Sequence, residues 1–270
     1  FKHLCRQASK GYFTAGIFGI PCSTFSVARI PDPSTSGPHN GPLPVRGRAP
    51  NEREGLASLT AQQLREVHNA NKLAERSIHL ATLICQQNGA VIFENPPDRA
   101  NRDSHDSVVR GLYNPKWYNH CPLWLLPAMV AAKQDLDLRE VTFSQCMLGG
   151  TFQKWTTLWY SPSLAHVLDE LHVCLCTHAE SKHAEIARGR TKWGDWVSAE
   201  AAAYPARMNR ILTRAIEHHC SSLPAADVRF TPAVSIWYEI DPSGKLRSTT
   251  DVNEVTPHTS LVGSPHVHVW

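Results

Sequence analysis

Two stretches decide the fold: Ala15-Gly16-Ile17-Phe18-Gly19-Ile20-Pro21-Cys22-Ser23-Thr24-Phe25-Ser26 and Ala90-Val91-Ile92-Phe93-Glu94-Asn95-Pro96-Pro97. Each is a short apolar run that stops on proline and polar residues, the pattern of a buried strand whose end opens into a functional loop. Between them, Ser58 to Gln87 places Leu59, Leu64, Val67, Leu73, Ile78, Ala81 and Ile84 near helical spacing. Thr60 is positioned as its N-cap, and Gly89 follows as a stop signal. Strand, helix, strand predicts a βαβ unit. The ends of both strands then lie on one edge of the sheet, where open parallel sheets bind ligands.

Working outward, residues 30–50 are rich in Pro, Gly, Ser and Arg and predict a long mobile loop. Glu140 to Cys146 and Thr156 to Tyr160 alternate as strands do, with a Gly149-Gly150 turn between them. Ser198 to His219 predicts a helix carrying Ala202, Met208, Ile211, Leu212 and Ile216, whereas residues 221–270 lose this pattern and read as an irregular tail. The chain has 270 residues, 42% of them hydrophobic and 19% charged, the balance of an ordinary α/β protein. No apolar run is long enough for a membrane helix. A net charge of +3 permits nucleic-acid binding without requiring it. The eight cysteines are dispersed rather than set in a dense framework, so with no secretory signal they read as free thiols in a reducing, intracellular compartment.

The chemistry gathers at the two strand ends. Cys22 follows a rigid proline at a strand mouth, with small hydroxyl residues and backbone N–H groups after it that can stabilise a thiolate. Glu94 ends an apolar strand, where partial desolvation raises its pKa and lets it hold a proton near neutrality.

This pair resembles the C5-cytosine DNA methyltransferases, whose signatures are a Pro-Cys nucleophile loop and a later Glu-Asn dipeptide. A narrower likeness, to the divergent methylase-like proteins of phages and eukaryotic mobile elements, runs from about Ala15 to Ala215. It is carried by Pro21-Cys22-Ser23-Thr24-Phe25-Ser26, Asn71-Lys72-Leu73-Ala74, Phe93-Glu94-Asn95-Pro96, Gln145-Cys146-Met147-Leu148-Gly149-Gly150, Gln153 to Trp159, Cys176-Thr177-His178 and Ala201-Ala202-Ala203-Tyr204-Pro205. The resemblance implies a class I, Rossmann-like methyltransferase fold over residues 1–220, with a mostly parallel sheet and helices on both faces. It implies methyl transfer from S-adenosylmethionine to a flipped cytosine, with Cys22 adding to the base, Glu94 engaging it and Asn95 shaping the loop that carries Glu94. Pro21 and Pro96 are then expected beside the cofactor, with Ser23, Ser26, Arg29, Lys154 and Thr156 facing DNA. The expected location is intracellular, nuclear in a eukaryote. The family's glycine-rich cofactor loop is not recognisable, since Lys10 to Gly16 has two glycines but no helix after it. The cofactor half is therefore expected to lie outside this chain.

Residues 172–197 read as an insert with two further signals. Cys174, Cys176, His178 and His183 are zinc-compatible side chains within a short span, though the Cys-x-Cys spacing is tight. Lys182, Arg188, Arg190 and Lys192, interleaved with Trp193 and Trp196, suit a phosphate backbone or an extruded base. Three other readings stand beside methyl transfer to cytosine. Asn95-Pro96-Pro97 resembles the adenine N6 methyltransferase motif, with Asp98 where an aromatic belongs. A noncatalytic nucleic-acid-binding remnant of a mobile element would explain the missing cofactor loop. A Cys-dependent hydrolase would need a partner His that no motif supplies.

Overall fold

The computed structural model describes residues 1–31, 42–103, 112–178, 183, 203–224, 237–240 and 246–249. Strands β1 (Ala15–Gly19) and β2 (Ala90–Asn95) pair in parallel, from Ala15 opposite Ala90 to Gly19 opposite Glu94. The crossover is helix α2 (Ala61–Cys85), which Thr60 caps as expected. The Thr60 hydroxyl accepts from the Gln63 N–H, and the Gln63 side chain accepts from the Thr60 N–H at 3.0 Å, a reciprocal capping box. Past the helix, Asn88 takes a left-handed φ of 61°. The Gly89 N–H then returns to the Ile84 carbonyl at 3.0 Å. A Cβ on Gly89 would lie 2.5 Å from Ile84 Cγ2, so only glycine allows this close approach.

Strand β3 (Arg139–Ser144) and β4 (Trp155–Tyr160) complete a four-stranded sheet of order β1-β2-β4-β3. Here the expectation of a mostly parallel sheet is corrected: β4 runs antiparallel to both β2 and β3. The connection 145–154 is too short for a crossover, which needs about a dozen residues or more, so β4 must reverse. The broader expectation of an α/β fold with helices on both faces holds.

The strands alternate their side chains between two cores. On one face, Ile17, Ala90, Ile92, Phe143, Leu158 and Tyr160 meet residues 164–171 and helix α5 (Ala206–Ser222), α4 being the short turn Ala165–Leu168. On the other, Val91, Phe93 and Trp159 meet α2 and α3 (Pro127–Asp135) together with Ala8 of α1 (Lys2–Ser9). Helix α5 starts at Ala206, because Pro205 sits at its N-cap and disfavours helical geometry at Tyr204, while residues 198–202 of the expected helix lie outside the described residues.

Two other expectations change. The described part of the 30–50 segment is tied down rather than loose. Arg46, 3% exposed, stacks 4.2 Å above the Phe25 ring and donates to the Arg53 carbonyl at 2.7 Å. Arg48 pairs with Asp98 at 2.9 Å. Within 221–270, β5 (Trp237–Ile240) and β6 (Leu246–Thr249) form an antiparallel pair where an irregular tail was expected. No helix among the described residues is long and apolar enough to cross a membrane.

Since α2 enforces the parallel pairing, Thr60→Ala should cost about 1 kcal/mol of stability through loss of the capping box, read as a lower urea midpoint with unchanged slope.

Candidate active site

The segment that carries Cys22 is held by its carbonyls, each taken by a different part of the chain. Asn95 Nδ2, at the end of β2, donates to the Ile20 carbonyl at 2.6 Å. The Phe25 N–H closes a tight turn on the Cys22 carbonyl at 2.9 Å. Arg29 Nε donates to the Ser23 carbonyl at 2.5 Å, and His120 Nε2–H donates to the Phe25 carbonyl at 2.7 Å. With the Arg99 N–H donating to His120 Nδ1 at 3.3 Å, the tautomer of this ring is set. The loop presents Cys22 half-buried, with Pro21 and Ser23 exposed on either side.

Glu94 projects from β2 on the same face as Ala90 and Ile92, toward the core that α5 covers, and is 7% exposed. Tyr204 Oη, just before α5, donates to Glu94 Oε2 at 2.8 Å. Glu94 Oε1 and Asn95 Oδ1 have no hydrogen-bond partner among the described residues. Burial pushes the Glu94 carboxyl above the usual carboxylate range, against the opposing pull of Lys154 and the Tyr204 hydroxyl. Burial also raises the Cys22 thiol, the Glu94 charge raises it further, and Lys154 lowers it. Lys154 Nζ lies 5.4 Å from the Tyr204 ring centroid. Cys22, Glu94, Lys154 and Tyr204 are therefore one electrostatic unit.

In this unit a neutral Glu94 keeps its proton on Oε1, because Oε2 already accepts from Tyr204. A buried, neutral carboxyl beside a thiol is a hydrogen-bond donor next to a nucleophile. Asn95, expected to shape the loop that carries Glu94, instead holds the backbone two residues before Cys22.

The expected DNA contacts divide. Ser23 is exposed and Lys154 half-buried at the site. Ser26 instead caps the next turn, its Oγ accepting from the Ala28 N–H at 3.1 Å. Arg29 corrects the expectation of a phosphate contact: it is 7% exposed and bonded to Glu66, the Ser23 carbonyl and the Leu43 carbonyl, so its charge is neutralised internally. Thr156 corrects it likewise, being fully buried and accepting from Gln145 Nε2 at 2.8 Å. Arg188, Arg190 and Lys192 lie outside the described residues. Of the zinc-compatible side chains, Cys176, His178 and His183 come together, but Cys174 packs against the core, and Cys146 takes its place.

The described residues do not fit S-adenosylmethionine. Gly11, at φ 73°, closes the C-terminus of α1 and does not open a helix. Pro96, expected beside the cofactor, has its carbonyl taken by Trp124 Nε1 at 2.8 Å. Sequence reasoning missed the role of Tyr204, although it sits in a quoted segment. It also missed the basic row Arg207, Arg210 and Arg214 on α5, whose spacing of three and four residues was the available signal. No protein-family model, no curated protein and no solved structure matches this chain.

Two outcomes follow from these environments. Burial lowers the His120 pKa to about 4, against the hydrogen bond to Phe25 and the charge of Asp98, and with the charges of Arg48 and Arg99. A depressed His contributes stability above its unfolded pKa near 6.5 that is lost as pH falls toward about 4. His120→Gln should flatten this decline in urea titrations across that window. Separately, alkylation of Cys22 should have a midpoint above that of an ordinary thiol. Glu94→Gln should lower that midpoint and Lys154→Ala raise it, with peptide mapping assigning the label to Cys22.

Proposed function

We propose that the chain is a DNA cytosine-5 methyltransferase-like protein in which Cys22 adds to a cytosine extruded from the duplex. The observation that carries this reading is the pairing of a braced thiol with a buried carboxyl, one oxygen of which accepts from Tyr204 while the other has no partner among the described residues. Ring carbons of cytosine are poor nucleophiles. Addition of the Cys22 thiolate at C6, with Glu94 donating its proton to N3, pushes the ring electrons to C5 and makes that carbon nucleophilic. Lys154 stabilises the thiolate before attack, and Tyr204 orients the carboxyl through Oε2. The cytosine must leave the duplex to meet such a buried pair.

S-adenosylmethionine would supply the methyl group in this family's chemistry, and this chain's residues contribute the activation of the base. The sheet lends a class I fold only the parallel β1–β2 unit, since the antiparallel β4 lies between β2 and β3 rather than at the edge. The poor fit of the described residues to the cofactor favours, as the second reading, a noncatalytic DNA-binding remnant. The adenine N6 reading has less support, because Asn95 is 1% exposed and the Pro96 carbonyl, the second acceptor such a motif needs, already accepts from Trp124 Nε1.

Base activation can be measured without any methyl donor. Once C6 has been attacked, C5 can take a proton from solvent and then lose its original hydrogen when the adduct reverses. We expect the protein to exchange C5 hydrogen of cytosine in duplex DNA with solvent. We also expect a covalent adduct, visible by intact mass, with an analogue lacking the 4-amino group. Cys22→Ala should abolish both, and Glu94→Gln should reduce exchange about 100-fold or more. Folded, DNA-bound protein giving neither signal would leave the binding remnant as the better reading.

A further inference from the structure

We propose that Cys146, Cys176, His178 and His183 form a tetrahedral zinc site that clamps the 174–183 segment onto the turn after β3. Their donor atoms all lie within 4.8 Å of one another. Cys176 Sγ is 3.0 Å from His183 Nε2 and 3.8 Å from His178 Nδ1. Zinc bound at ordinary Zn–S and Zn–N lengths separates tetrahedral donors by about 3.3–3.8 Å. The group therefore needs only a slight contraction to close around one ion.

The donor chemistry selects the metal. Two thiols and two imidazoles with no carboxylate suit zinc and exclude the hard cations calcium and magnesium, which take oxygen ligands. One ligand comes from a different part of the chain, which is what a clamp requires. Cys146 is 9% exposed and sits in the tight turn Gln145–Leu148, which ends at Gly149 with φ 90°. The other three follow Val173, itself 82% exposed, and none of them belongs to a helix or strand. Metal binding commonly supplies folding energy at such positions. The backbone is already aligned for it, since the Ser144 N–H donates to the Cys174 carbonyl at 2.9 Å.

The clamp has a consequence at the active site. Gln145, next to Cys146, donates from its backbone N–H to the Lys154 carbonyl at 2.9 Å and from Nε2 to Thr156. Fixing Cys146 therefore fixes the segment that brings Lys154 beside Cys22 and Glu94.

The test is metal analysis of the full chain, purified under reducing conditions and equilibrated with zinc, followed by competition against a chromophoric chelator. We expect one zinc per chain and, on cobalt substitution, the visible absorption of a tetrahedral thiolate site. Cys146→Ser and Cys176→Ser should each weaken zinc at least about 100-fold, more than typical losses from outer-shell changes. His178→Ala, at an exposed position that folding tolerates, should also weaken it, and Cys174→Ser should leave it unchanged. Folded protein that retains no zinc would overturn the proposal. So would a Cys146–Cys176 disulfide that persists in reductant, or loss of zinc in Cys174→Ser with retention in Cys146→Ser.

Discussion

The parallel pairing of β1 with β2 is the constraint on which the rest depends. Parallel neighbours cannot be joined by a tight turn, so the chain must cross over, and α2 is that crossover. Because both strands then point the same way, their ends open onto one edge, and the residues after Gly19 meet those at Glu94 and Asn95. The register matters as much as the direction. A slip by one residue would turn Glu94 toward the face now held by Phe93 and present Asn95 to Tyr204 instead. The amide of Asn95 works against such a slip, since only in this register does it reach the Ile20 carbonyl.

That register sets up an electrostatic conflict with a chemical use. Glu94 and Cys22 are each disfavoured as anions by burial, and the Glu94 charge raises the cost of ionising Cys22. The pair therefore resists carrying two negative charges at once. Lys154 eases whichever group ionises, and Tyr204 holds one carboxylate oxygen in either state.

How much of this was legible depended on how local each signal was. The strands β1 and β2, helix α2 with its Thr60 cap, and the coming together of Cys22 and Glu94 followed from periodicity, capping chemistry and chain direction. The short connection 145–154 made the reversal of β4 against β3 legible, but its antiparallel pairing with β2 was not, because that depends on β4 inserting between β2 and β3. Arg29 and Thr156 were misjudged for a common reason. Charged and hydroxyl side chains are usually exposed, and only the tertiary structure shows the Glu66 partner and the Gln145 amide that take them inward. Cys146 escaped notice because a ligand supplied from another segment leaves no spacing pattern near Cys176.

The two sides of the site differ in how they are held. The Cys22 side is braced by Asn95, Arg29 and His120, three side chains from separate parts of the fold that each take a backbone carbonyl. A segment fixed in this way holds the Cys22 thiol in one geometry, and in the proposed reaction such positioning would contribute to the rate before any chemistry begins. The facing side depends on less. Lys154 lies in the β3–β4 connection, and Tyr204 stands just before α5. Neither belongs to a strand or a helix, so their alignment with Glu94 must come from what anchors the connection and the chain leading to α5. Cys146 of the Cys146, Cys176, His178 and His183 cluster lies in that connection, beside the Gln145 N–H that donates to the Lys154 carbonyl. Whatever stiffens the cluster therefore acts on Lys154, while leaving the Cys22 loop to its own braces.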